Sequence, residues 1–381
     1  MLGSIFIGLS GMNAFSNGLR QISNNIANLN SAGFKSADLT FVNLFGTSAF
    51  AQGQGVALAD ARIDFSQGEL RQTDRALDLA IDGDGFLVLL KDDNHFFART
   101  GSFEVNADGD IVLAGTDYKL TVLDDAGSPT PLSVSGHRAF PPQATTTIKI
   151  SDNLSSSATT FSLTEIKVFD AQGVAEPWTV KFERTETSPP GEWTVTASNA
   201  AGQIGNPPQT HTLKFVGSLP DPATPPLTFS QGGRSVVLDL SQATSFSGAS
   251  TIKVADVDGF GGGELIEVRV NEKGEMEIAY SNEQITNLGA VTLAQFTDPQ
   301  SLSPMSNGLY TYDGATGREF LTSESERVGQ VVSKRLESSN VDLSGEFGDL
   351  ILIQRGFQAS SQVVSVSNDM IQQLFGIRGQ G

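Results

Sequence analysis

A mainly β fold framed by long terminal α-helices is what this sequence predicts, and three observations carry the prediction. Apolar residues recur seven apart at both ends of the chain, short alternating runs separated by Gly and Pro fill the middle, and charge is nearly missing from the two ends. The expected architecture is a set of nested, discontinuous β-domains over an N/C-terminal helical coiled-coil core.

At the start, Ile5, Met12, Leu19 and Ile26 form one seam, with Phe15, Ile22 and Leu29 three positions on. At the finish the device recurs at Leu343, Leu350, Phe357, Val364 and Ile371, with Leu374 beyond. Up to Phe34 the only ionisable side chain is Arg20, and from Leu350 onward there are only Arg355, Asp369 and Arg378. A helix that faces water opposite its apolar stripe normally displays many charges. Here the outer face is Asn, Gln, Ser and Gly, the surface of a helix touching protein on several sides. Two arrangements hide such stripes: one antiparallel pair within the chain, or helices from neighbouring copies. The expected interface residues are Ile5, Met12, Phe15, Leu19, Ile22, Ile26, Leu29, Leu350, Phe357, Val364, Ile371 and Leu374.

With 381 residues the chain is expected to hold two or three domains. Charged residues make up 18%, below the roughly 25% of an average soluble domain. The net charge of -19, with no Lys/Arg cluster, argues against nucleic acid or an anionic membrane as partner. Cysteine is absent, which excludes disulfides, thiolate metal sites and cysteine nucleophiles. The opening Met1-Leu2-Gly3-Ser4-Ile5-Phe6-Ile7-Gly8-Leu9 lacks a basic n-region and a clean cleavage site, so it reads as retained helix rather than a secretory signal. No apolar run approaches eighteen residues, and no membrane insertion is expected.

After the first helix, residues 35–68 read as a linker with aromatic anchors at Phe41, Leu44, Phe45 and Phe50. An inner β-domain is expected over 69–144 and 284–342, with terminal helices over 1–34 and 343–381. Within it, Phe103 and Val105 alternate inward, Asp108-Gly109 turns, and Ile111 and Leu113 alternate back. Tyr118, Leu120 and Val122 follow, and Pro129, Pro131, Pro141 and Pro142 mark an exit. An outer β-domain over 145–283 is expected from Ile148/Ile150, Ile166/Val168, Trp178/Val180/Phe182, Trp193/Val195, Leu213/Phe215 and Val236/Leu238/Leu240, short strands at sandwich or barrel spacing. Ile266, Val268 and Val270, a turn at Asn271 to Gly274, and Met276, Ile278 and Tyr280 read as a hairpin on the way back.

Several stretches resemble one family. Asn24-Asn25-Ile26-Ala27-Asn28-Leu29-Asn30-Ser31-Ala32-Gly33-Phe34-Lys35 resembles the N-terminal signature of the bacterial flagellar axial proteins, which include the rod, hook and hook-filament junction proteins. Ser339-Asn340-Val341-Asp342-Leu343-Ser344-Gly345-Glu346 resembles the closing signature. The matching signature residues are Asn24, Asn25, Asn28, Gly33, Phe34, Asn340, Val341 and Asp342. Ala76 to Val88 and Phe97 to Asp110 resemble the family's first β-domain, and Gly259 to Pro299 is similar to its hook members more than to its rod members. The resemblance implies a structural, hook-type subunit that self-assembles into a curved hollow tube transmitting torque. It also implies partners among rod, hook-cap and junction proteins, a place outside the cell in the flagellum at the hook and basal body, and export by the flagellar type III apparatus without a cleaved signal. A distal-rod subunit and, from another class, a secreted carbohydrate-binding or adhesive β-protein stay open as alternatives.

Chemistry is sparse. His95, His137 and His211 lie far apart with no second ligand at metal spacing, and no nucleophile elbow, H-E-x-x-H or phosphate-binding glycine loop is present. Counted from Asp256, a calcium-loop template is met at Asp258, Gly261 and Glu267, but Phe260 stands at its fifth place and Gly263 at its eighth, so the stretch reads as a turn into a strand. The expectation is a protein that is not an enzyme, with no catalytic residues, no metal and no cofactor.

Overall fold

The computed structural model describes residues 2–45, 53–59, 61–124, 126–185, 192–205, 207–314 and 316–378. Helix α1 spans Leu2–Ala27 and helix α2 spans Leu343–Arg378; the elements between them are strands and two 3-10 turns among the described residues. The mainly β class with terminal helices is therefore the observed one.

The chain divides into two compact units, Met1–Ser135 with Glu267–Ile278 and Thr286–Gly381, and Gly136–Ile266 with Ala279–Ile285. The hairpin around Asn271 to Gly274, expected with the outer domain, belongs to the first of these.

In the first unit, strands from before and after the second unit's sequence alternate in one antiparallel sheet. Gln330–Ser333 pairs with Asp78–Asp82, Leu309–Thr311 with Asn94–Ala98, and Leu293–Phe296 with Phe86–Lys91. An aromatic cluster gathers Phe86, Phe97, Phe296 and Tyr310, with Phe65, Tyr312 and Phe320 packed on it. The Phe97 and Phe296 rings meet edge to face at 4.8 Å, the geometry that quadrupoles favour. The turn expected at Asp108-Gly109 is present, with Gly109 donating its N–H to Asn106 O and Asn106 Oδ1 accepting from Asp110 N at 2.8 Å. Phe103 is fully buried as expected, but Val105, the last residue of the strand and paired with Ile111, is 39% exposed.

Residues 35–68 hold more structure than a linker implies. Ala37–Asp38 pairs with Arg62–Ile63, and Phe41–Phe45 pairs with Gly53–Leu58. Phe41 lies 5.3 Å from Phe15 of α1, ring to ring.

In the second unit two sheets share one core. Thr160–Phe169, Ala175–Arg184, Glu192–Asn199 and Thr210–Val216 form one antiparallel sheet, and Leu227–Gln231, Arg234–Thr244, Thr147–Asn153 and Lys253–Val257 form the other. Only Thr147–Asn153 and Arg234–Thr244 run parallel in that second sheet. Each alternating residue expected to point inward, from Ile148 through Trp178 and Trp193 to Leu240, belongs to this single core. Period-2 alternation on antiparallel strands has this result when one face is covered and the other wet.

Candidate assembly surface

Helices α1 and α2 pack antiparallel within the chain, because contacts climb one helix as they descend the other: Gly8 meets Val364, Gly11 meets Ser360, and Gly18 meets Ile353. The line of contact on α1 is made of small residues. A Cβ at Gly8 would fall 2.7 Å from Val364 Cγ2, and one at Gly18 would fall 2.7 Å from Ile353 Cδ1. On α2, Gly356 makes room for the Phe15 ring in the same way. With Ala14 3%, Ile22 1% and Ile353 3% exposed, the seam is closed. Two backbones drawn this close gain dispersion contacts along their whole length, though each glycine costs helix propensity of about 1 kcal/mol.

This seam inside the chain is a different line from the heptad residues, whose expected place is between subunits. Of the interface residues read from the heptads, Ile22 alone is fully buried within the chain. Ile5, Met12, Phe15, Ile26, Leu29, Leu350, Val364 and Ile371 are half-buried along the edges of the pair. Leu19 and Phe357 stand 39% and 43% exposed, and the side chain of Leu374 lies outside the described residues. The heptads were read from large apolar residues, while the closing seam is built from Gly8, Gly11, Gly18, Gly356 and Ser360. Their spacing of three and seven was the available signal. What the private seam leaves over is substantial. Phe6 is 67% exposed, Leu9 53%, Ile351 52%, Leu352 66% and Phe347 50%. Phe6, Leu9, Met12 and Phe357 line an open apolar hollow on the outer face of the pair, about 600 Å³ in volume. Exposed apolar side chains gathered at one hollow are the kind of surface that a neighbouring molecule can cover.

Where the helices end, the two signature stretches meet. Asn25 is 2% exposed and uses its carboxamide fully: Nδ2 donates to Glu346 Oε1 at 2.7 Å and to Ala37 O, and Oδ1 accepts from Ala37 N. Asn340 answers from the other side, its Oδ1 accepting from Ser36 N at 2.8 Å while Nδ2 donates to Asp64 O. Asp342 caps α2 by accepting from Ser344 N at 3.0 Å, which satisfies one of the four orphan donors of a helix start. Asn28 donates to the Asn24 carbonyl at 2.9 Å and closes the end of α1. Gly33 has φ +71 and a Cβ there would meet Thr100 Cγ2 at 2.9 Å, so the turn needs glycine for both reasons. Phe34 and Val341 pack beside this junction, Val341 9% exposed, and the Phe34 carbonyl accepts from Asn340 N.

Beneath them lies a buried ionic triad that the sequence reading did not find. Glu337, 0% exposed, takes Lys35 Nζ on Oε1 at 2.5 Å and Arg99 Nε on Oε2 at 3.2 Å, and accepts from Gly68 N as well. Arg99 Nη1 and Nη2 donate to the Gly85 and Gly83 carbonyls. Burial pulls the Lys35 amine below its ordinary value, and the Glu337 carboxylate pushes it back up. The triad ties the first turn after α1, the β-unit and the last strand before α2 to one point, which fixes where both helices leave the sheet.

The polar stretches weighed for chemistry serve the fold. The Asp258 carboxylate accepts from Thr146 N, Thr147 N and Thr146 Oγ1. Burial pushes the Asp258 carboxyl up, but those hydrogen bonds outweigh it and hold the group below the usual range. Asp256 pairs with Lys149 at 3.1 Å. Among the described residues no group of three or more His, Asp or Glu is gathered as a metal site would need. His211 Nε2 shares a 2.8 Å hydrogen bond with Thr228 O, a framework contact.

Comparison with known proteins settles the family. Four family models match in order along the chain: flagella basal body rod protein at 5–35, the flagellar hook protein FlgE/F/G D1 domain at 80–159, the flagellar basal body protein FlaE D2 domain at 141–260, and the flagellar basal body rod FlgEFG protein C-terminal region at 332–377. The flagellar hook protein FlgE of Salmonella typhimurium is 30% identical over 403 residues, covering 97% of this chain and 98% of that one. The chain belongs to the flagellar hook protein family. The FlgE proteins of Escherichia coli K12 and Brucella suis are 29% and 28% identical, each matched over at least 97% of both chains. A crystal structure of the Helicobacter pylori hook protein FlgE2 has the same fold, with a TM-score of 0.54 at 13% identity, covering 70% of this chain and all of that one.

Proposed function

We propose that this chain is the structural subunit of a flagellar hook, polymerising through the outward faces of α1 and α2 into a curved, hollow tube that passes torque from basal body to filament. The observation that carries the reading is the division of labour on the helix pair. Glycine and serine close the seam inside the chain, and Phe6, Leu9, Leu19, Leu352 and Phe357 are left outside it. No monomer gains from that arrangement, since exposed apolar area contributes only when a neighbour covers it. Ile5, Met12, Ile26, Leu29, Leu350 and Ile371, half-buried at the edges of the pair, flank that face and extend it.

A distal-rod role and a secreted carbohydrate-binding role are less well supported. The Salmonella typhimurium and Escherichia coli relatives, matched over 97% of this chain, carry the hook name, and a rod reading would have been favoured by a missing outer β-domain, whereas 141–260 matches a D2 model. Partners above and below in the axis, at the rod, hook cap and junction, follow from the same reading, as does export by the type III apparatus with Met1 to Leu9 retained. A role without catalysis fits a surface built from apolar helix faces. Electron microscopy of the exported polymer tests the proposal: curved, supple tubes are expected, straight rigid ones would move the chain to the rod, and failure to polymerise at any concentration would overturn the assignment.

A further inference from the structure

On one flank of the first unit a guanidinium stands without a carboxylate. Arg318 lies opposite Phe296 in the pairing of Leu293–Phe296 with Arg318–Leu321. Its Cζ is 4.8 Å from the Phe320 ring centroid and 5.8 Å from that of Phe97. The His95 ring packs against Phe320 at 5.3 Å. Among the described residues no carboxylate is within ion-pair range of Arg318, and the adjacent Glu319 is held by Arg327 at 2.8 Å. Among the described cations that lie over aromatic rings this sets Arg318 apart. Lys91, Arg99 and Arg234 lie over rings as well, and each holds a carboxylate, Asp117, Glu337 and Glu176 in turn.

Contact with two rings limits the rotamer freedom of the guanidinium that a binding event would otherwise have to freeze. A planar fork held in this way is complementary to a carboxylate, which takes two parallel N–H···O bonds from it. His95 does not compete as a second cation at neutral pH, because burial and the Arg318 charge hold its imidazole below the ordinary value.

We propose that Arg318, braced by Phe97 and Phe320 beside His95, is a docking point for an Asp or Glu side chain of a second copy of this chain in the polymer. The inference rests on the assembly reading above and adds a contact on the β-unit, away from the terminal helices. A second copy is the occupant because the acidic surplus is the chain's own. With a net charge of -19, copies brought side by side repel unless unpaired cations face the neighbour's acids.

The test is the critical concentration for polymerisation of the full chain carrying Arg318→Gln or Arg318→Glu, with the melting of the monomer followed in parallel. A rise of about tenfold for Arg318→Gln, and more for Arg318→Glu, is expected at low salt with unchanged monomer melting. The gap should narrow as salt screens the contact. In polymers of Arg318→Lys mixed from two isotope-labelled pools, a carbodiimide should join the introduced amine to an Asp or Glu of another chain. A lowered monomer melting point with an unchanged critical concentration, or links found only within one chain, would show Arg318 to be a packing residue and overturn the contact. Wild-type chain that does not polymerise at all would instead remove the assembly reading on which the contact depends.

Discussion

Asn25 and Glu346, 321 residues apart in the chain, are joined by a 2.7 Å hydrogen bond from the Asn25 Nδ2 to the Glu346 Oε1. The bond sits at the mouth of the helix pair, next to the cap of α2 and the turn that ends α1. It sets the register from which the glycine contacts at Gly18, Gly11 and Gly8 follow in order toward the far end. A polar residue inside an apolar seam specifies alignment at some cost in stability, and here it aligns two helices that the sequence holds apart.

That cost is pH-dependent. Burial pushes the Glu346 carboxyl above its ordinary value of 4.5, Asp349, Asp38 and Asp342 add to the shift, and the Asn25 hydrogen bond opposes it. A raised carboxyl binds its proton more tightly folded than unfolded, so stability is greatest below the unfolded value and falls as pH rises through the raised one. Glu346→Gln keeps the acceptor for Asn25 and removes the titration. Between pH 4 and 7 the wild-type helix pair is expected to lose stability relative to this variant, as read from thermal melts across that range. Parallel pH profiles would show that Glu346 does not feel its acidic neighbours.

Glu337 neutralises two buried cations at once, so its removal should be the costliest single change at the helix exits. Glu337→Gln leaves Lys35 and Arg99 without a counter-charge and is expected to cost about 3–5 kcal/mol in urea unfolding of the first unit. Lys35→Met leaves Glu337 still paired with Arg99 and should cost clearly less. Equal losses would mean that the triad acts as hydrogen bonding to carbonyls rather than as charge compensation.

The parts of this fold legible in the sequence are those in which one covered face repeats every second residue. Trp178, Val180, Phe182, Trp193 and Val195 announced the core of the second unit because each points inward from a long antiparallel strand. The same rule misplaced Ile266, which alternates with Val268 and Val270 but is 68% exposed, since alternation does not say where a strand leaves its sheet. The signatures located the helix exits, and Asn25, Asn340 and Asp342 take part there in the bonds just described. The triad was not legible. Arg99 and Glu337 are 238 residues apart, and charged residues carry no pattern that foretells burial until the fold brings them together. The helix seam escaped for the opposite reason: hydrophobic periodicity weighs large side chains, and this seam closes on the absence of side chains.

Gly18→Leu tests that seam. The new side chain would enter space held by Ile353 Cδ1, 2.7 Å from the position of its Cβ, with Leu39 close behind. Leucine favours the isolated helix by somewhat under 1 kcal/mol over glycine, whereas overpacking a closed interface costs about 1–3 kcal/mol. The pair is expected to open while the β-units melt as before. Hydrogen exchange at Ala14 and Ile22 should lose protection in the variant; retained protection would mean that the helices slide to accept the bulk.

The last prediction separates the private seam from the shared face. Leu352→Asp and Phe6→Asp change residues that are 66% and 67% exposed, so each should alter monomer stability by no more than about 0.5 kcal/mol. In a polymer the same positions are to be covered by a neighbour, and an uncompensated carboxylate there costs several kcal/mol per contact. That penalty recurs at every subunit of the tube, so either substitution should abolish assembly while leaving the monomer's melting curve unchanged. Ile22→Asp behaves differently. At 1% exposed it lies inside the chain, and a charge there should break the α1 and α2 pair in the monomer before assembly is reached. Electron microscopy and monomer melting on the three variants give the answer together. Normal tubes from Leu352→Asp would mean that the outward apolar face is not where subunits meet, and a monomer undisturbed by Ile22→Asp would mean that the helix pair forms only between copies.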